Sequence, residues 1–310
     1  MGMLEDLQPT VQDLVDTAGG AVVAIGGTSR GGSGFVVADG QVLTNAHNVR
    51  GQEIAVTFAD GRRATGAISG MDADGDLVVV SVETVGVSPI AWSTGQAALG
   101  SPVFGLTLTG QGPRVTFGLV SSLARAFRGP RGRRISGSIE HTAPLAPGSS
   151  GGPLLGAGGE LLGINTNRIG AFYLAIPADA SLRARVEALG RGDSPVRPRL
   201  GLGLAPAGVA RRMRRAVGLP EREGLLVRAV EADTPAARAG LREGDLLVAA
   251  GRRPLVGLDD LHDVLGAPDL GSSLTLRIVR GTDELELSIT FAGEQGDYAE
   301  AQSGDGPSAS

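Results

Sequence analysis

Short apolar runs separated by turn-forming residues dominate the first 180 or so positions. They fall at residues 21–25, 34–38, 42–45, 54–58, 64–69 and 77–82, and again at 102–108, 115–121, 135–141, 161–164 and 171–176. Runs of this length, rich in branched residues and bounded by Gly, Asp and Pro, read as strands. Asp39-Gly40 and Asp60-Gly61 supply the positive-φ residues that tight hairpins need. Two packed β-barrels fit this many strands. The period then changes: Asp179 can cap a helix that carries Leu182, Val186 and Leu189 and stops at Gly190. Residues 191–198 read as a linker between a first domain at 20–190 and a second at 199–292. Residues 1–19 form an N-terminal segment. Residues 293–310 hold too little apolar surface to fold alone and are expected to be disordered.

Composition narrows the class. A chain of 310 residues with 42% hydrophobic content can fill two ordinary cores. Its 50 glycines and 3% aromatics suit short strands and tight turns, not a long helical bundle. Without cysteine there are no disulfides, no thiolate nucleophile and no cysteine-based metal site. A net charge of −5 gives no general attraction to nucleic acid, and the arginines at 125–134 and 211–215 read as a loop and a solvated face.

The segment at 146–154, Ala-Pro-Gly-Ser-Ser-Gly-Gly-Pro-Leu, carries the chemistry. A serine between glycines can meet a carbonyl carbon while neighbouring backbone N–H groups stabilise the oxyanion that forms. Ser150 is the candidate nucleophile, and it needs a base. Of the three histidines, His47, His141 and His262, His47 is the choice, ending the strand-like run at 41–47. Asp76 opens the apolar run 77–80, a strand mouth where a partly buried carboxylate can hold an imidazole, and it is preferred to Asp72 or Asp74. His141 suits a cleft or structural role, and His262 a surface or groove position on a helix of the second domain. The spacing Asp72, Asp74, Asp76 resembles a calcium loop, but its turn glycine is misplaced and an apolar strand follows.

These residues resemble the HtrA (DegP-like) serine proteases. The resemblance runs through Gly-Ser-Gly-Phe-Val-Val at 32–37, Leu-Thr-Asn-Ala-His at 43–47, Asp-Leu-Val-Val at 76–79, 147–154 and Gly-Ile-Asn-Thr at 163–166, and covers about residues 20–292. It implies a mostly β fold: a chymotrypsin-like double β-barrel protease domain, then a small α+β PDZ domain. It implies His47 as general base, Asp76 as its orienting acid and Ser150 as nucleophile. The oxyanion hole comes from the Gly148 and Ser150 amides, with Ser149 between them supplying a further backbone N–H. Ile164, Asn165, Thr166, Asn167, Leu174, Ala175 and Ile176 would line the pocket for the residue before the cleaved bond. Arg199, Leu200, Gly201 and Leu202 would receive the carboxylate of a peptide adding to a PDZ sheet edge, the alternative being that they are merely the first strand. Two positions depart from the family: Ser149 where asparagine is usual, and Asn48 where an apolar residue follows the histidine.

The resemblance implies cleavage of unfolded or damaged proteins through an acyl-enzyme, with C-terminal peptides at the PDZ domain and no cofactor. The alternative is a latent or inactive protease serving as a peptide-binding scaffold or chaperone. No nucleic-acid partner and no membrane span are expected. The acidic start of the chain is no secretory signal, which reads as cytoplasmic for the chain as written and as cell envelope for a trimmed one. A homo-oligomer is open, but the first aromatic residue, Phe35, lies too late for a trimer built on N-terminal aromatics.

Overall fold

The alternating runs of the first half close on themselves. In the computed structural model, described for residues 3–26, 31–93, 95–109, 112–128, 134–169, 172–195, 199–265 and 272–291, the chain forms two compact units, 1–195 and 196–310. The first unit begins with β1 (Val22–Ile25), β2 (Gly32–Ala38), β3 (Gln41–Thr44), β4 (Glu53–Phe58), β5 (Arg63–Asp72) and β6 (Leu77–Ser81), a closed antiparallel barrel in the order β1-β2-β3-β6-β5-β4. A second barrel, β10-β11-β12-β9-β8-β7, is built from β7 (Pro102–Thr109), β8 (Gly112–Arg128), β9 (Arg134–His141), β10 (Pro153–Leu155), β11 (Leu161–Ile169) and β12 (Phe172–Pro177). Closure leaves neither barrel a free edge.

One apolar cluster joins the two barrels, with Phe35, Leu43, Phe58 and Val78 from the first and Phe104, Leu155, Ile164 and Leu174 from the second. Leu77 to Val80 are buried without a break, because α2 (Ala180–Gly190) packs against β5 and β6. Leu182, Val186 and Leu189 form its buried face, and the Asp179 carboxylate caps it by accepting from Leu182 N at 2.8 Å. Gly70 lets it come this close: a Cβ there would overlap the backbone of Leu189.

Three features depart from the sequence reading. The N-terminal segment is a helix, α1 (Met3–Ala18), whose Leu14 and Ala18 are buried and whose Leu7 and Val11 pack against the core. β10 is too short for a periodicity to reveal. The described residues of the basic stretch read as a loop, 125–128 and 134, are strand: β8 runs to Arg128 and pairs Phe127 with Ile135 and Arg128 with Arg134, with Phe127 buried. Burial of that aromatic and the ladder bonds outweigh the loop-like composition.

The second unit comprises β13 (Leu202–Ala205), α3 (Ala207–Ala216), β14 (Leu225–Val230), α4 (Pro235–Arg238), β15 (Leu246–Ala250), β16 (Arg253–Pro254), α5 (Leu258–Leu265), β17 (Ser273–Arg280) and β18 (Asp283–Thr290). Its sheet runs β13-β14-β15-β17-β18, with β16 beside β15. Leu225, Val227, Leu247, Leu276, Ile278 and Phe291 fill its core. The buried Asp245 carboxylate ahead of β15 is held by both arms of Arg280, at 2.8 and 2.9 Å. Arg199 to Gly201 precede β13 as a loop and Leu202 opens the strand, so the tetrapeptide is part loop and part strand. The expected disordered tail, 293–310, lies outside the described residues.

His141 ends β9 wholly inside the second barrel, its ring stacked with Tyr173 at 6.0 Å between centroids. It is a core group and not a rival base. Its Nε2 lies 3.0 Å from Asn165 Oδ1, and Asn165 Nδ2 donates to Pro153 O, an orientation that makes His141 Nε2–H the donor. Nδ1 is buried without a partner among the described residues. Burial pushes the imidazole pKa down to about 4, against a weaker upward pull from Asn165. Between pH 6.5 and 4 the unfolded chain therefore binds a proton that the folded chain refuses, so stability falls as pH drops through that window and levels below it. Chemical denaturation at stepped pH should show a His141 contribution of up to about 3 kcal/mol, absent in His141→Gln. Parallel pH profiles for the two proteins would contradict it.

Candidate active site

Asp76 follows a turn that begins at the end of β5. Asp72 Oδ1 accepts from Gly75 N at 2.9 Å, and Asp72 Oδ2 lies 3.4 Å from Arg185 Nη1 on α2, so this aspartate holds the turn in place. No group of metal-ligating side chains gathers among the described residues. The turn delivers Asp76 with φ of 58°, a left-handed conformation that few residues other than glycine adopt. Its carbonyl accepts from Asn45 Nδ2 at 2.9 Å.

The Asp76 carboxylate is almost sealed from water, with 2% of its side chain exposed. His47 Nδ1 lies 2.9 Å from Oδ1 and 2.8 Å from Oδ2, the His47 backbone N–H donates to Oδ1 at 3.1 Å, and Thr166 Oγ1 donates to Oδ2 at 2.9 Å. A carboxylate only accepts, so the imidazole proton sits on Nδ1 and the Nε2 lone pair is left for a substrate or nucleophile. His47 occupies a 3₁₀ turn, Ala46–Asn48, directly after β3.

The nucleophile loop is pinned one peptide at a time. Gly148 O accepts from Ser33 Oγ at 3.0 Å, and Ser149 N–H donates to Ala146 O at 3.1 Å. Ser149 O accepts from Gly152 N–H at 3.1 Å. Ser150 O accepts from Ser33 N–H and Asn48 Nδ2, both at 2.8 Å, and Gly151 N–H donates to Asn165 O at 2.7 Å. Gly148 and Gly151 each have φ of 87°. Among the described residues, the N–H groups of Gly148 and Ser150 donate to no protein group, whereas that of Ser149 is engaged and so unavailable to an oxyanion.

Ser150 Oγ donates to Thr166 O at 2.9 Å, not to His47. Thr166 thus contacts both the acid and the hydroxyl, which the sequence did not suggest. The β11–β12 register slips between Asn165 and Asn167, so Thr166 stands on a bulge. Among the expected pocket residues, Ile164, Leu174 and Ile176 belong to the main core and Ala175 to a smaller one. Asn165 and Thr166 direct their side chains into internal hydrogen bonds, and the Asn167 side chain lies outside the described residues.

Residues 32–164 match the model of the trypsin-like peptidase domain, and residues 198–291 that of the PDZ domain. The putative serine protease HhoA of Synechocystis is 36% identical over 285 residues, covering 84% of this chain and 70% of that protein. A probable periplasmic serine endoprotease DegP-like of Halomonas elongata is 31% identical, covering 90% of this chain and 59% of its own length. The chain therefore spans between about half and 70% of such relatives. The solved serine endoprotease from Yersinia pestis superposes with a TM-score of 0.61 at 25% identity, covering 91% of this chain and 97% of that one. The HtrA-type protease AlgW with decapeptide shares the fold at a TM-score of 0.62 and 22% identity. With both domain models matched and a relative 36% identical across 84% of this chain, the chain belongs to the HtrA (DegP-like) family of serine proteases.

Proposed function

We infer that the protein is a serine endopeptidase acting on unfolded or damaged proteins, with His47, Asp76 and Ser150 as its triad. The observation that carries this is the sealed Asp76 carboxylate paired with His47 so that Nε2 is left unengaged, combined with a pinned serine loop that leaves two N–H groups unengaged. Ser150 Oγ first turns from Thr166 O to His47 Nε2; catalytic hydrogen bonds are often unmade until substrate binds. Nε2 then takes the hydroxyl proton as Oγ bonds the scissile carbonyl carbon, and the oxyanion meets the Gly148 and Ser150 N–H groups. The imidazolium returns the proton to the leaving amine, which departs to give the acyl-enzyme. Water, deprotonated by the same base, releases the acid. No cofactor enters these steps.

Casein cleavage by wild type should exceed that of Ser150→Ala by about 10⁴-fold or more; equal rates would remove the assignment. The bond between Ser150 Oγ and Thr166 O favours a second reading, a protease latent at rest. Fluorophosphonate labelling separates the two: prompt modification of Ser150 indicates a competent resting site, and labelling only after peptide addition indicates latency.

The residue before the cleaved bond is small and aliphatic in this reading, which rests on the likeness to the HtrA family, since Ile164, Leu174 and Ile176 are packed in the core and line no open pocket themselves. Mass spectrometry of casein fragments should find Val, Ala or Ile there, and a majority of Lys or Arg would contradict it.

The PDZ domain takes extended C-terminal peptides along β13, with the loop at Arg199 to Leu202 receiving the carboxylate. Each end strand of the sheet pairs on one side only among the described residues. β18 carries Asp283, Glu284 and Glu286, charges that discourage strand addition, whereas β13 carries none. Apolar-ended peptides should bind in fluorescence anisotropy and lose binding when their C-terminus is amidated; equal affinity of the two forms would refute this.

A further inference from the structure

We propose that Asn48 is a positioning residue for the nucleophile, clamping the Ser150 carbonyl to the first barrel so that the segment bearing the base also holds the backbone of the reacting serine. This rests on the reading of Ser150 as nucleophile.

The Asn48 carboxamide donates to Ser150 O at 2.8 Å and to Thr44 Oγ1 at 3.0 Å. Thr44 Oγ1 passes its own proton to Ser33 O at 2.6 Å, and Ser33 N–H donates to Ser150 O at 2.8 Å. Both lone pairs of the Ser150 carbonyl are thereby filled from β2 and from the turn beyond β3. With Gly151 N–H held by Asn165 O, the peptide after Ser150 is fixed at both ends, one from each barrel. The ψ angle of Ser150, and with it the direction from which Oγ leaves the backbone, follows from that peptide.

The carboxamide has a built seat. A Cβ on Gly32 would overlap Asn48 Cγ and Nδ2, and a Cβ on Gly151 would overlap Ser33 O and Thr44 Oγ1 and crowd Asn48 Nδ2 to 2.8 Å. Two glycines from different barrels thus leave room for an amide that an apolar side chain could occupy but could not use as a donor. Asn48 also follows His47 directly, so any shift of the base reaches the serine carbonyl through one residue. A bulk packing role alone would require no donor at this position.

The experiment compares wild type, Asn48→Val and Asn48→Asp on an internally quenched peptide chosen from the casein fragments, with thermal melting and fluorophosphonate labelling alongside. Asn48 is only half-buried and Ser150 O keeps its bond from Ser33 N–H, so both variants should fold. Loss of one such hydrogen bond predicts kcat down about tenfold, KM within about twofold, and labelling slowed in parallel. Asn48→Asp, the same shape with an oxygen facing the carbonyl, should lose at least as much at neutral pH. A folded variant with wild-type kcat overturns the proposal, as does collapse of the melting transition in both, which marks a purely structural part. If wild type neither cleaves nor labels, with or without added peptide, the nucleophile reading fails and takes the clamp with it, an outcome distinct from active wild type with unaffected variants.

Discussion

A carboxylate sealed from water must find its hydrogen-bond donors inside the protein, and Asp76 finds them on both barrels. His47 supplies two from the first barrel and Thr166 one from the second. An uncompensated buried charge would be destabilising by several kcal/mol, so the barrels cannot separate without exposing or orphaning this group. Docking of the barrels and assembly of the site are one event. The left-handed backbone at Asp76 adds about 1–3 kcal/mol of strain, offset by Asn45 on its carbonyl and by the Asp72 turn that Arg185 braces from α2. The helix after the second barrel therefore helps to hold an acid in the first.

The same economy of space governs the serine loop. Peptides between residues 148 and 152 are fixed by partners on β2, on β11 or within the loop, and the backbone can approach β2 this closely only because residue 151 lacks a Cβ. Positive φ at Gly148 and Gly151 makes the turn that presents Ser150 between them. What remains unengaged is chemically selective: two N–H donors and one imidazole lone pair, beside a hydroxyl held by a single bond to Thr166 O. Preorganised donors of this kind reorient little when charge develops, which is the source of their catalytic value.

Much of this was legible in the chain because the signals were local. Period-two runs and Asp-Gly turns specify strands within a few residues, and the Asp179 cap and Leu182, Val186, Leu189 spacing specify α2. With only three histidines in the chain, and His47 closing the run 41–47, the choice of base was narrow. Other features depend on partners remote in sequence. Asp72 meets Arg185 across 113 residues, and Thr166 reaches Asp76 across 90. Nothing in Gly-Ile-Asn-Thr announces that its last residue sits on a bulge. α1 did carry a signal, with Leu7, Val11, Leu14 and Ala18 at helical spacing, masked by Pro9 and an acidic start. Arginines around Phe127 concealed strand pairing that burial of the aromatic enforces.

Thr166 links the Asp76 carboxylate to the serine loop. Its hydroxyl donates to the Asp76 carboxylate and its carbonyl accepts from Ser150 Oγ, so one bulged residue touches both ends of the proposed proton path. A serine hydroxyl has one proton and can donate to Thr166 O or to His47 Nε2, not to both. Each bond is worth about 1 kcal/mol net, and a bias of about 1.4 kcal/mol shifts a two-state population tenfold. The competition is close enough to balance that small differential contacts from a bound chain decide it. A displacement of the bulge would act on Asp76 and Ser150 together, because Thr166 is bonded to both.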